Sequence, residues 1–209
     1  MAGTGQAHAG KPDQNFVKPK KRLYREFTGR NQDEGEIDMA LFERFGEFDS
    51  VEELNATAEG LKAEGDLESL KVLAVENGLS EYDAEDYAAG DVEELASKQM
   101  AAIGKLKVES EELKIAGIME DWKDTVAEEC VENEALCAAV RKKDKSLKEC
   151  MAKLIQFAFE NKVQVNDEII KITKVNHNGK LENFRGPLYL GIPNRAQVRD
   201  IARKYYLGE

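Results

Sequence analysis

The sequence has few of the residues on which catalytic and metal sites often depend. Its 209 residues include two histidines, three cysteines, one tryptophan and four prolines. No apolar run approaches the roughly 18 residues that a membrane-crossing helix needs, and the first residues lack the apolar block of a signal peptide. We therefore expect a cytoplasmic protein with no membrane segment.

The three cysteines are predicted to be reduced and buried. Cys130 and Cys137 lie on one helical pattern, about 10 Å apart along the axis at ~1.5 Å per residue, which excludes a disulfide while that helix persists. The histidines, His8 and His177, are far from any Cys-x-x-Cys pair, so no zinc-binding pattern is present. We expect no metal site and no cofactor.

Catalytic signatures are also missing. The sequence contains no Gly-x-Ser-x-Gly, no His-Glu-x-x-His and no glycine-rich dinucleotide fingerprint. Carboxylates on helical surfaces lack the convergent geometry and contrasting environments that an acid–base pair requires. His177, next to an Asn-Gly turn, is interpreted as an exposed loop residue. The sequence therefore predicts a protein that is not an enzyme.

Two incidental motif matches fail at residues that their functions require. The segment from Gly5 to Lys11 has the spacing of a phosphate-binding loop, but Pro12 replaces the magnesium-binding Ser or Thr. Residues 83–94 align with a calcium loop, yet Tyr87 and Ala88 replace the ligand at its fifth position and the glycine at its sixth. Neither match supports a nucleotide or calcium site.

Charge is abundant and strongly segmented. The chain has a net charge of -11. Residues 1–30 carry seven Lys/Arg against two Asp/Glu, residues 31–140 carry eight against thirty-one, and residues 141–209 carry fifteen against eight. Because like charges on a folded surface repel, the acidic segment raises the question of what compensates it.

Helix start and stop signals predict a mainly α fold. Starts are predicted at Ser50, Asp66, Ser80, Asp91, Ser146, Asn166 and Asn194. Ends are predicted at Gly65, Asn77-Gly78 and Gly90. A polar break is predicted over residues 105–114, then one long helix from Ile115 to Val140. In the helix after Ser146, the residues predicted to face inward are Leu147, Cys150, Met151, Leu154, Ile155, Ala158 and Phe159.

Short β-structure is predicted near the carboxyl-terminal end, where Asn178-Gly179 is a two-residue hairpin turn and residues 188–193 read LYLGIP. The predicted fold is bundle-like, with an acidic helical amino-terminal half and a basic helical carboxyl-terminal half. We divide it into a flexible basic arm over residues 1–35, an acidic helical domain over 36–105, and a helical domain over 106–209 with a small hairpin near 175–192.

The densest acidic stretch is residues 80–95, SEYDAEDYAAGDVEEL, which has no cation. We predict that its carboxylates bind a partner: Glu81, Asp83, Glu85, Asp86, Asp91, Glu93 and Glu94. Predicted helix starts explain part of this charge, because the macrodipole favours anions in a first turn. The other acids have no Lys or Arg beside them in the sequence.

The last predicted helix has an opposite, basic face formed by Arg195, Arg199, Arg203 and Lys204. One interpretation is the solvated face of an ordinary surface helix. The other is a nucleic-acid-binding surface, in which helices and the Asn178-Gly179 hairpin imitate a winged-helix module.

Three segments, residues 47–90, 142–169 and 188–208, resemble a family found on mobile elements of gut Firmicutes. That family is similar to the PcfK-like proteins of conjugative elements, and some members are described as inhibitors of the type II CRISPR effector nuclease. The most distinctive segments are KSLKEC at residues 145–150 and LGIP at residues 190–193. Neither is a catalytic signature, so the resemblance carries over no active-site residue. Residues 176–189 depart from the compact form of the family.

The resemblance implies an anti-CRISPR protein, a non-enzymatic inhibitor whose acidic helices bind the basic complex of nuclease and guide RNA. Such a nuclease holds nucleic acid in a positively charged channel, for which surface carboxylates compete. The alternative is an accessory DNA-binding or scaffold protein of conjugation that uses the basic helix and residues 18–25 on phosphate. A third interpretation is an acidic protein whose charge serves solubility alone.

Overall fold

Nine helices and two small antiparallel sheets make up residues 42–208, the part of the chain that this computed structural model describes. The predicted basic arm and the Gly5–Lys11 motif lie outside the described residues. The helices are α1 Val51–Glu64, α2 Leu67–Glu76, α3 Glu81–Ala89, α4 Lys98–Glu112, α5 Ile118–Glu132, α6 Glu134–Arg141, α7 Leu147–Glu160, α8 Asp167–Ile172 and α9 Arg195–Leu207. The predicted mainly α fold with a short hairpin is confirmed.

The strands lie between the last three helices: β1 Val163–Gln164, β2 Lys174–His177, β3 Lys180–Asn183 and β4 Tyr189–Leu190. Strand β1 pairs with β4, and β2 pairs with β3. Asn178 and Gly179 both have positive φ, 52° and 81°, as a two-residue turn between twisted strands requires. The predicted hairpin turn and the predicted β-segment are both confirmed.

Most helix boundaries follow from capping chemistry. The side chains of Ser50, Asp66, Ser80, Ser146 and Asn194 each accept a hydrogen bond from the backbone N–H three residues later. Asn166 caps α8 in a related way, by accepting from the N–H of Glu168. Gly65 and Gly90 end α1 and α3 in the left-handed conformation. These predicted starts and ends are confirmed.

The helix predicted to start at Asp91 is a correction. Residues 91–97 are not helical, and α4 begins at Lys98, where Ser97 caps it by accepting from the N–H of Met100. The Asn55 side chain binds both backbone groups of Ala96, at 3.1 Å to its N–H and 2.9 Å to its carbonyl. These two hydrogen bonds hold the non-helical segment against α1.

The predicted polar break over residues 105–114 is also wrong. Helix α4 continues to Glu112, and it buries Lys105, Leu106 and Glu109. The domain boundary that we placed at residue 105 falls inside this helix. Helix α4 packs against α5, α6 and α7, and it also contacts the turn between α2 and α3 through Gly104.

The single long helix predicted from Ile115 to Val140 is two helices in the structure. Gly117, with φ of 63°, precedes α5, and Asn133 separates α5 from α6. Asn133 has extended backbone angles, and its side chain caps α6 by accepting from the N–H of Leu136. An apolar stripe with a 3.6-residue period survives a one-residue break, so periodicity alone did not reveal the junction.

Helix α7 buries only the first half of its predicted apolar stripe. Leu147, Cys150, Met151 and Leu154 are buried, whereas Ile155 and Phe159 are exposed, which corrects the prediction. The chain after β4 covers the Ala158 side of the helix instead. There Gly191 lies so close that a Cβ would be 2.0 Å from the Ala158 carbonyl oxygen.

A buried cation connects α4 to two other parts of the chain. Lys105 is fully buried, and its Nζ donates to the carbonyl oxygens of Lys142 and Lys145 at 2.7 and 2.9 Å. It also forms ion pairs with Glu47, which precedes α1, and with Glu109 one turn later in α4. The Glu109 carboxylate accepts from the N–H of Leu147 at 2.6 Å. Nearby, buried Arg141 donates to the Asn77 side chain.

Gly104 is predicted to be essential for packing between α4 and the α2–α3 turn, because an added Cβ would lie 2.1 Å from the Asn77 carbonyl oxygen. We expect Gly104→Ala to lower the free energy of unfolding by about 2 kcal/mol or more. Urea unfolding measures this. The matched control is Gly60→Ala in the exposed middle of α1, where nothing lies within 4 Å, and we expect a gain of about 1 kcal/mol. Equal effects at the two glycines would contradict the close contact.

Glu109 predicts a pH dependence of stability. Burial raises the pKa of Glu109 above its ordinary value of 4.5, although the Leu147 N–H and the Lys105 charge oppose the shift. The folded chain therefore holds this proton more tightly than the unfolded chain. The resulting stabilisation is present below the ordinary pKa and is lost as pH rises through the folded-state pKa.

We therefore expect the wild type to lose stability relative to Glu109→Gln as pH rises from about 4 to about 7. Urea unfolding of both proteins across this range gives the difference, which cancels the titration of the other carboxylates. A difference that stays constant with pH would contradict the shifted pKa.

Candidate functional site

An acidic groove lies between α1 and the non-helical segment 91–97. Its volume is about 640 Å³, and four carboxylates and two lysines line it. The lining residues are Val51, Glu52, Asn55, Ala56, Glu59, Lys62, Tyr87, Glu93, Glu94 and Lys98. The groove therefore presents mostly negative charge on walls that α1, α3 and the segment provide.

Hydrogen bonds and ring contacts hold the groove walls in place. The Asn55–Ala96 bonds attach segment 91–97 to α1. At the other wall, Lys62 Nζ lies 4.3 Å from the centre of the Tyr87 ring and donates to the Tyr87 carbonyl at 2.5 Å. Burial, followed by the charges of Glu59 and Glu94, raises the pKa of Tyr87. The acidic side chains thus stand on a well-defined backbone.

The seven predicted partner-binding acids divide into two groups. Asp83 completes the capping box of α3 with Ser80, and Lys71 on α2 pairs with Glu81 at 3.7 Å and with Glu85 at 2.6 Å. These three carboxylates therefore have partners within the chain. Sequence reasoning missed Lys71 because it lies a full helix away from the acids that it contacts.

The other predicted acids are exposed and have no ion-pair partner among residues 42–208: Asp86, Asp91, Glu93 and Glu94. The structure adds Glu52 and Glu59 to them, two exposed residues of α1 that line the groove together with Glu93 and Glu94. Glu52 and Glu59 are seven residues apart, which is about two helical turns, and this spacing could have shown from the sequence that they lie on one face of a helix. We call these six residues the acidic surface.

The basic face of α9 is largely neutralised by α5. Arg195 pairs with Glu128, and Arg199 lies 3.6 Å from Glu128 and 3.4 Å from Glu129. Arg203 donates from both Nε and Nη2 to Glu129. Sequence reasoning missed this pairing because 67 to 74 residues separate the hydrogen-bonded partners.

Only the fourth residue of that face, Lys204, is exposed with no ion-pair partner among the described residues. The carboxylates of α5 therefore hold the three arginines against the protein itself. His177 is exposed, as predicted, but it is the last residue of strand β2 and not a loop residue.

The three cysteines, predicted to be buried, are buried and free. Within residues 42–208, no group of three or more His, Cys, Asp or Glu side chains is arranged to hold a metal ion. None of the helices in this range combines the length and apolar character that a bilayer crossing requires. Comparison of the chain with protein-family models, curated proteins and solved structures finds no match.

The ion pairs between α5 and α9 predict unequal effects of two arginine substitutions. Glu129 is only 1% exposed, so Arg203→Ala leaves a buried carboxylate with weaker compensation, and we expect a loss of about 2 to 3 kcal/mol. Arg195 is 63% exposed, and Arg195→Ala is expected to cost less than about 1 kcal/mol. Urea unfolding distinguishes the two. Replacing Glu129 with Met as well should recover part of the Arg203→Ala loss, and strict additivity would contradict this coupling.

Proposed function

We propose that this protein is a non-enzymatic inhibitor of a type II CRISPR effector nuclease and that it binds the basic nucleoprotein through the acidic surface. The observation that carries the proposal is the set of exposed carboxylates around the groove, which have no ion-pair partner among residues 42–208. The choice of a type II CRISPR effector nuclease as the partner comes from the sequence resemblance. A positively charged channel that holds a nucleic-acid duplex is the kind of surface that such carboxylates complement.

The rigid display of the acidic surface supports the proposal. Carboxylates on flexible loops lose conformational entropy when a partner orders them, and this loss weakens binding. Here Asp86 belongs to a capped helix, and Glu93 and Glu94 belong to a segment that Asn55 holds against α1. Most of the ordering cost for their backbone is therefore met by folding.

The pairing of α9 with α5 disfavours the alternative of DNA binding by the basic face. Phosphate would have to displace Glu128 and Glu129 from Arg195, Arg199 and Arg203, and Glu129 is almost completely buried. Removing its arginines would leave a buried negative charge without compensation, which is strongly unfavourable. Such neutralisation is expected where two helices form a structural interface.

A cleavage assay tests the proposal. Purified type II nuclease, guide and target are titrated with this protein, and inhibition is expected to weaken as salt screens the charges. The variant that replaces Asp86, Asp91, Glu93 and Glu94 with Lys should inhibit at least about tenfold less well, which corresponds to about 1.4 kcal/mol of binding free energy. Circular dichroism confirms that the variant remains folded.

The matched control reverses four exposed acids outside the acidic surface: Glu111, Glu112, Asp144 and Glu182. It changes the net charge by the same amount, so near-wild-type inhibition assigns the effect to the acidic surface. Equal loss in both variants would indicate general electrostatic steering instead. A folded variant of the acidic surface with unchanged inhibition would exclude acidic docking. Strong binding of the wild type to bare duplex DNA, with a steep salt dependence, would favour the conjugation alternative.

A further inference from the structure

The break between α5 and α6 brings two buried cysteines together. Cys130 lies in the last turn of α5, and Cys137 lies near the start of α6. In one continuous helix, a spacing of seven residues would separate them by about 10 Å along the axis. The extended backbone of Asn133 changes the direction of the chain, and the Cys137 Sγ donates to the Cys130 carbonyl oxygen at 2.7 Å.

The environments of the three cysteine thiols differ. A side-chain hydrogen bond between Cys130 and Cys137 raises the pKa of Cys130 and lowers the pKa of Cys137. Burial raises the pKa of the third cysteine, Cys150, to about 12. Cys137 is the thiol of the three whose pKa is lowered, so we expect it to attack first.

We propose that Cys130 and Cys137 form a redox-active dithiol that closes to an intrachain disulfide when the protein meets a small-molecule disulfide such as glutathione disulfide. The thiol-to-carbonyl contact across the Asn133 junction carries this inference. It is independent of the proposed inhibition of a nuclease.

The reaction proceeds by two exchange steps. The Cys137 thiol loses its proton, and the thiolate attacks one sulfur of glutathione disulfide, which releases the first glutathione as a thiolate that takes up a proton. The Cys130 thiol then loses its proton, and its thiolate attacks the Cys137 sulfur of the mixed disulfide, which releases the second glutathione as a thiolate that takes up a proton. In sum, the protein dithiol is oxidised to a disulfide, and one glutathione disulfide is reduced to two molecules of glutathione.

Burial determines when this reaction takes place. Cys130 and Cys137 have relative exposures of 0% and 1%, so the oxidant reaches them only when α6 opens locally. Helix α6 ends at Arg141, which donates to Asn77 in the turn that precedes α3. Closure of the disulfide would fasten α6 to α5 at Asn133 and restrict that opening.

The test uses the full reduced chain under native conditions, incubated with mixtures of glutathione and glutathione disulfide. Free thiols are then alkylated and mapped by mass spectrometry. We expect loss of two thiols, a linked pair of peptides containing Cys130 and Cys137, and an alkylated Cys150. The proposal is overturned if all three cysteines stay alkylatable at every ratio, if Cys150 enters the bridge, or if the bridge forms only in denaturant.

Two variants check the order of the steps. Cys150→Ala should still form the bridge, and failure to do so in a folded variant would contradict the assignment. Cys130→Ala removes the resolving thiol, so the reaction should stop at a mixed disulfide of Cys137 with glutathione. An unmodified Cys137 in a folded Cys130→Ala protein would overturn its role as the attacking thiol. If neither variant folds, the disulfide mapping of the wild-type protein still tests the proposal.

Discussion

The hydrogen bonds and ion pairs of the buried Lys105 ammonium group hold the described helices in their arrangement. A fully buried cation is costly unless ion pairs and hydrogen bonds replace its water. Here that replacement comes from Glu47 before α1, from Glu109 in α4, and from two carbonyls of the α6–α7 connection. The chain before α1 and the α6–α7 connection must therefore both meet α4 at Lys105. This contact joins the acidic helices α1 to α3 to the other described helices.

The same electrostatic requirement separates structural carboxylates from those available to a partner. Glu129 is buried and must keep its arginines, so the acids of α5 and the basic face of α9 form an internal interface. The acidic surface has no comparable interface among the described residues. Its side chains are exposed, and a cationic partner that approaches them has no arginine of residues 42–208 to displace. Net charge alone does not distinguish these two groups of acids.

Local chemistry made much of the fold predictable. The caps at Ser50, Ser80 and Asn194 act within three residues, and the Asn178-Gly179 turn needs only two residues that tolerate positive φ. The errors arose where a distant contact outweighed a local signal. Asp91 and Glu94 have the spacing of a capping box, yet the segment is not helical, and two hydrogen bonds between Asn55 and Ala96, 41 residues apart, hold it against α1.

The helical class, most helix starts, the hairpin turn and the acidic stretch that contains part of the candidate site depend on neighbouring residues, so they can be read from the order of the amino acids. The three-dimensional fold sets which charges are neutralised, since Lys71, Glu129 and Lys105 have partners on other helices or connections. It likewise placed Glu52 and Glu59 beside Glu93 and Glu94 in one groove. Coulomb interactions and burial depend on distances in space, and the order of residues along the chain does not specify those distances.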